Sequence, residues 1–336
     1  MRRAILLLAL VLSAACAPVA PPQPTPAPAS LKPANLRTPR PTVAPPTATA
    51  TPRLAPVPNA TPRPTSPPPR ATPTPVLLGT PIAASEPLQG MLVDDSLLSP
   101  IIGERFRYRI YLPPDYLRAP DRHYPVLYLL HGTGGTYTEW SDSFLPEQAD
   151  RMIVAGEIQP LIVVMPGDAE STYWANWDNG PRWGDYVTED VVSTIDQRYR
   201  TLPNPTDRAI GGLSMGGLGA LNLAFQHPDV FGVVGAHSPS VRLEPDPALW
   251  FLTGQNFWDH NPIWLAQHRP GLDSLKIWLD GGTDDVWLPN IEAVHAALVG
   301  EGLHVEWHVL PGPHEAEYWI AHVPEYLRFY SAALQT

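Results

Sequence analysis

Ala209-Ile210-Gly211-Gly212-Leu213-Ser214-Met215-Gly216-Gly217 decides how the rest of the 336-residue chain is read. A short apolar run leads into a tight turn with a serine at its apex. A helical pattern then continues through Ala220 to His227. Glycines two positions to either side of Ser214 are what a strained strand-to-helix turn needs when a serine hydroxyl stands exposed at its tip. A side chain at either position would meet neighbouring backbone, which glycine avoids. The pattern is short, and at average residue usage it arises in roughly one chain in ten of this length. Its meaning rests on what surrounds it.

On both sides, strand and helix patterns alternate. Residues 106–112 alternate apolar and polar and stop at Pro113-Pro114, as in a half-exposed strand. Residues 125–130 and 161–165 are continuous apolar runs, the mark of strands buried on both faces. Further strand candidates are 209–213, 232–236, 275–279 and 304–310. Helical patterns occupy 144–155, 184–199, 215–227, 288–300 and 316–334. This alternation predicts one α/β domain over residues 86–336, with a mostly parallel central sheet covered by helices on both faces. Ligands on such sheets bind at the carboxyl ends of the strands. His131-Gly132-Thr133-Gly134-Gly135 follows one predicted strand, and no Gly-Lys-Ser/Thr makes it a phosphate loop. Asp280-Gly281-Gly282-Thr283-Asp284-Asp285 follows a second, and Pro311-Gly312-Pro313-His314 a third. The resulting order is Ser214, then Asp284 or Asp285, then His314, which is the order α/β-hydrolases use.

The first 85 residues differ in kind. Met1-Arg2-Arg3 and the apolar run 4–12, ending at Ser13-Ala14-Ala15-Cys16, read as a signal peptide too short to span a bilayer. Cys16, the single cysteine, stands where the lipobox of bacterial lipoproteins places its lipidated residue, although Ser13 occupies the usual aliphatic position. The expectation is a leader over 1–16 and a lipid-anchored, extracytoplasmic product. Ordinary cleavage near Ala15 or Ala17 would give a secreted one. Residues 17–85 hold half of the 44 prolines and read as an extended, disordered Pro/Thr-rich linker. At about 3.1 Å per residue it would reach on the order of 200 Å. Residues 1–85 carry eight Lys or Arg and no Asp or Glu, leaving residues 86–336 with a formal net of −19. A domain that acidic repels nucleic acid, whose binding needs basic patches.

The domain resembles the α/β-hydrolase branch that includes esterase D, the feruloyl esterases and the antigen 85 mycolyltransferases. The likeness runs from about residue 104 to 330 and rests on Tyr111-Leu112-Pro113-Pro114-Asp115-Tyr116, Tyr124 through Gly132, the elbow through His227-Pro228-Asp229-Val230-Phe231, and Gly312-Pro313-His314 with Tyr318-Trp319. It implies the α/β-hydrolase fold and a serine esterase working through an acyl-enzyme. Acyl transfer to a sugar or lipid acceptor is the alternative, and a surface binding module that kept only the fold is a third reading. Ser214 is the expected nucleophile, which needs an adjacent base, and His314 that base. The family's aspartate lies three residues past the strand-end glycine. Counting from Gly282 gives Asp285, which is preferred, and counting from Gly281 gives Asp284. Backbone N–H groups of Met215 and Thr133, with Gly132 as the alternative, are expected to hold the oxyanion.

His131, Tyr173, Trp174, Trp177 and His237 are expected along a pocket for a small or polysaccharide-linked ester, with the Trp-rich stretch 239–270 as a small cap; His237-Ser238 as a packed strand-end pair, and the loop aromatics as packing that pins the loop, are the alternatives. No cofactor or metal is expected. His304 and His308 share a strand face but stand about 13 Å apart, too far to chelate one ion.

Overall fold

The computed structural model of the protein describes residues 87–169 and 171–334. The expected leader with Cys16 and the Pro/Thr-rich stretch 17–85 lie outside the described residues. Eight strands form one sheet: β1 Met91–Leu98, β2 Arg105–Leu112, β3 Val126–Leu130, β4 Ile162–Pro166, β5 Arg208–Leu213, β6 Val233–His237, β7 Lys276–Gly282 and β8 Val305–Leu310. Their spatial order is β1-β2-β4-β3-β5-β6-β7-β8. All neighbours from β4 to β8 are parallel, while β1 meets β2, and β2 meets β4, in antiparallel fashion. The architecture is the mostly parallel α/β arrangement expected.

The central strands are apolar throughout because both of their faces are covered. Along β3, Val126, Tyr128 and Leu130 point into one core, and Leu127 and Leu129 into the other. Helix α5 (Met215–Gln226) contributes Leu218, Leu221 and Phe225 to the first. Helix α9 (Ala316–Ala333) contributes Tyr318, Trp319, Tyr326 and Tyr330 to the second. The other described α-helices are α1 (Glu139–Asp142), α2 (Leu145–Val154), α3 (Trp183–Asp185), α4 (Val192–Arg198), α6 (Gly254–Asp259), α7 (Pro262–His268) and α8 (Leu288–Gly300). Between α3 and α4 the helix continues through a wider π-turn, Tyr186–Val191.

Strand β1 is the element the sequence pattern does not announce. Asp94 and Asp95 break its alternation, yet both are paired from outside the strand. Arg109 Nε donates to Asp94 at 2.6 Å, and the Tyr108 hydroxyl to Asp95 at 2.9 Å.

Candidate active site

Every chemically interesting strand end lies on the same edge of the sheet, since β3 to β8 run parallel. At the end of β5, Ser214 has φ 53° and ψ −115° and caps α5. That conformation is uncommon for a residue with a side chain and costs about 1–3 kcal/mol. The flanking glycines make it possible. A Cβ on Gly212 would lie 2.3 Å from the carbonyl carbon of Gly216, and one on Gly216 would lie 2.3 Å from Leu130 O. Ser214 N–H donates to His237 O at 3.1 Å, and Ser240 N–H to Ser214 O at 3.0 Å. The turn is thereby tied to the end of β6.

The loops after β7 and β8 bring an acid and a base to that serine. His314 Nε2 stands 2.8 Å from Ser214 Oγ, and its Nδ1 stands 3.0 Å from Asp285 Oδ2. Those partners assign the tautomer: Nδ1–H donates to the carboxylate and the serine hydroxyl donates to Nε2. Trp287 N–H donates to Asp285 Oδ1 at 2.7 Å, and the Ser238 hydroxyl donates to Oδ2. Burial by itself would raise the carboxyl pKa of Asp285. The bonds from His314, Ser238 and Trp287 outweigh it and hold the group below its ordinary range. Asp284 is exposed, takes the Thr283 hydroxyl at 3.0 Å, and has its N–H bonded to Gly312 O at 3.0 Å. Of the two aspartates, only Asp285 faces the imidazole. Thr283 N–H to Leu310 O, at 2.8 Å, joins the two loops, and the edge of His314 rests on Trp319 at 5.0 Å between centroids.

The loop after β3 closes the other side of the serine. A Cβ on Gly132 would lie 3.6 Å from Ser214 Cβ. Gly132 N–H donates to Glu139 Oε2 at 2.6 Å, so this candidate oxyanion donor is already committed. Met215 opens α5, where an N–H has no acceptor within its own helix.

Three residues expected along the pocket are buried instead. His237 is 0% exposed, with Nδ1 2.9 Å from Asp280 and Nε2 2.8 Å from the Tyr330 hydroxyl. Its ring extends into the core under α9, against Tyr326 and Tyr330. Trp174 is also 0% exposed and donates its indole N–H to His131 O at 3.2 Å, pinning the glycine-rich loop from beneath. His131 is 1% exposed and paired with Asp168. Tyr173 and Trp177 are partly buried. Trp177 stacks on Phe251 at 4.5 Å, and Trp250 packs against it edgewise while staying 68% exposed. The 239–270 stretch contributes Leu249, Phe251, Leu252 and Phe257 to a small core of its own with Ala175. Arg242 links this aromatic group to the catalytic edge, its guanidinium 5.3 Å from the Tyr173 ring and 4.3 Å from that of Trp287.

Ser238 is read from the sequence only as the strand-end neighbour of His237, and Glu139 and Asp168 are site residues that the sequence did not single out. Ser238 and Asp168 each lie just beyond a parallel strand, which was an available signal. Glu139 carries none.

Comparisons with known proteins agree with the fold. A family model described as "Putative esterase" matches residues 99–330. Two Mycobacterium tuberculosis proteins, Esterase MT1326 and Esterase Rv1288, are each 35% identical over 178 residues, covering 52% of this chain and 34% of theirs. The match thus spans about a third of the length of these curated relatives. A solved ferulic acid esterase is 27% identical with a TM-score of 0.67, covering 74% of this chain and 100% of that one. The Staphylococcus aureus serine hydrolase FphF shares the fold at TM-score 0.61 and 21% identity, over 74% of this chain and 99% of that one.

Proposed function

The chain belongs to the Esterase family, and from that membership we propose that it is a serine carboxylesterase acting through an acyl-enzyme on Ser214. The observation that carries this reading is the continuous line Ser214 Oγ, His314 Nε2, His314 Nδ1, Asp285 Oδ2, with contacts of 2.8 and 3.0 Å. Ser214 Oγ attacks the ester carbonyl while His314 Nε2 takes its proton. Asp285 fixes the ring and stabilises the imidazolium without itself becoming protonated. The N–H groups of Met215 and Thr133 receive the oxyanion. Collapse breaks the bond to the alkoxy oxygen, and His314 returns the proton to the departing alcohol. Water, deprotonated by the same histidine, then releases the acid. The residues named supply every group these steps need.

The acyl group in this proposal is aromatic, and the alcohol belongs to a saccharide or another small molecule. Support comes from the partly open group of Tyr173, Trp177 and Trp250 beside the Arg242–Trp287 contact, and from the ferulic acid esterase among the similar structures. We further propose an extracytoplasmic enzyme, anchored through Cys16 and set off from the membrane by the 17–85 linker. Incorporation of radiolabelled palmitate into wild type but not Cys16→Ala is the expected result. Hydrolysis of p-nitrophenyl acetate by wild type and Ser214→Ala tests the chemistry. A fall of at least about 10³-fold is expected, and equal rates would overturn the proposal. Repeating the assay with a competing sugar acceptor distinguishes hydrolysis from acyl transfer. Free acid as the main product supports the esterase.

A further inference from the structure

The backbone from Leu130 to Thr133 is held from several directions. Trp140 Nε1 donates to Leu130 O at 3.0 Å, and Trp174 Nε1 to His131 O at 3.2 Å. Gly132 N–H is given to Glu139 Oε2 at 2.6 Å. The Gly132 carbonyl oxygen accepts from Gly135 N–H at 3.1 Å and lies 2.9 Å from Nδ1 of His131. In a trans peptide the carbonyl and the following N–H point to opposite sides. Turning Gly132 O toward the His131 ring therefore turns Thr133 N–H away from it. Gly132 itself abuts Ser214.

The far nitrogen of this ring, Nε2, stands 3.1 Å from Asp168 Oδ1, at ion-pair distance but outside hydrogen-bond geometry, and both side chains are 1% exposed. The second Asp168 oxygen takes the Thr172 hydroxyl at 2.5 Å. Neither a peptide carbonyl nor a carboxylate can donate. A neutral imidazole has a single N–H and would turn a lone pair toward one of these oxygens, whereas an imidazolium turns an N–H to the carbonyl and its charge to the carboxylate.

Resting on the esterase reading above, we propose that His131 is a buried imidazolium, paired with Asp168, that positions the Gly132–Thr133 peptide to receive the oxyanion. It is a positioning residue, because it acts through the backbone and does not touch substrate. The charged groups facing it are Asp168, from the loop after β4, and Glu139, from α1, both negative. Burial alone would lower the pKa of the ring, but the Asp168 carboxylate, the Gly132 carbonyl and the charge of Glu139 together outweigh burial and raise it. The sign follows from that direction. The contribution of His131 is full below the ordinary imidazole range and is lost as pH rises through the raised value. Losing the proton frees one of the two oxygens, and the peptide loosens. The turnover number then falls on the alkaline side while KM stays nearly constant.

The test has two arms. In protein labelled with ¹⁵N-histidine, long-range ¹H–¹⁵N spectra at pH 7.5, about one unit above the ordinary value, are expected to show one imidazolium. His131→Gln, or Asp168→Asn if that variant does not fold, assigns the signal. A neutral tautomer at His131 would overturn the proposal, whether or not the enzyme is active. In the second arm, Asp168→Asn is expected to lower kcat by about tenfold to a hundredfold at pH 8, with KM within about twofold and the alkaline limb moved to lower pH. Continued labelling of Ser214 by a fluorophosphonate in this variant keeps the nucleophile reading separate. A variant with a lower melting temperature but wild-type kcat and pH profile would mean a purely structural pair.

Discussion

Two histidine–aspartate pairs lie close together at the carboxyl ends of β6, β7 and β8, with nearly equal separations: His314 Nδ1 is 3.0 Å from Asp285, and His237 Nδ1 is 2.9 Å from Asp280. What differs is the far nitrogen. For His314 it meets Ser214 at 2.8 Å, on a strained turn at a helix start, and the side chain keeps 19% exposure. For His237 it meets the Tyr330 hydroxyl at 2.8 Å, and the ring is stacked 3.6 Å from Tyr326. Asp280 also takes the Trp278 indole at 2.6 Å and the Tyr318 hydroxyl at 2.7 Å. Burial, reinforced by the charge of Asp280, drives the Tyr330 hydroxyl far above its ordinary pKa, which keeps it protonated. A histidine–aspartate pair therefore does not by itself make a catalytic site. Reactivity depends on a nucleophile at the far nitrogen and on a path for substrate.

Substitutions at the two aspartates should separate these roles. Asp285→Asn removes the charge that orients and stabilises His314, and kcat is expected to fall by about 10⁴-fold, measured with p-nitrophenyl acetate, with a smaller drop in melting temperature than Asp280→Asn gives. Asp280→Asn should do the reverse. It weakens a fully buried charge network, so a loss of about 3 kcal/mol is expected, seen calorimetrically as a drop of about 6–12 °C, with kcat within about threefold at temperatures where the variant is folded. Equal kinetic damage from both would erase the distinction. Tyr330→Phe leaves His237 Nε2 without its hydroxyl, and chemical denaturation should report a smaller loss of about 1–2 kcal/mol with unchanged turnover.

Acid titration gives a subtler contrast. The folded pKa of Asp285 is depressed, so its contribution to stability is present above the ordinary carboxylate value and fades as pH falls through the depressed one. Wild type should therefore lose stability more steeply than Asp285→Asn below about pH 4. Parallel curves would show that the bonds around Asp285 contribute little to stability.

The same comparison explains which parts of the molecule the sequence made legible. Ser214 depends on local backbone geometry, and the spacing of Gly212 and Gly216 records that need directly. The acid and the histidine were marked by position just past apolar runs. Only the choice between Asp284 and Asp285 stayed open, because it turns on where the strand ends, and β7 runs to Gly282. Residues whose surroundings come from distant segments were not legible. His237 reads as a pocket residue or as part of a packed strand end, and only Tyr330, 93 positions later, decides it by taking the ring nitrogen. Trp174 belonged to a loop that looked like an open aromatic surface, but it is consumed in supporting His131. Strand β1 was hidden by two aspartates whose partners, Arg109, Tyr108 and Arg198, lie on other elements.

In the proposed mechanism Ser214 is the serine that His314 and Asp285 make nucleophilic, and labelling with a fluorophosphonate followed by peptide mass mapping tests this. The expected result is a single adduct on the peptide containing Ser214, greatly slowed in His314→Ala and absent in Ser214→Ala. An unlabelled protein, or an adduct on any other serine, would mean that the triad does not activate Ser214.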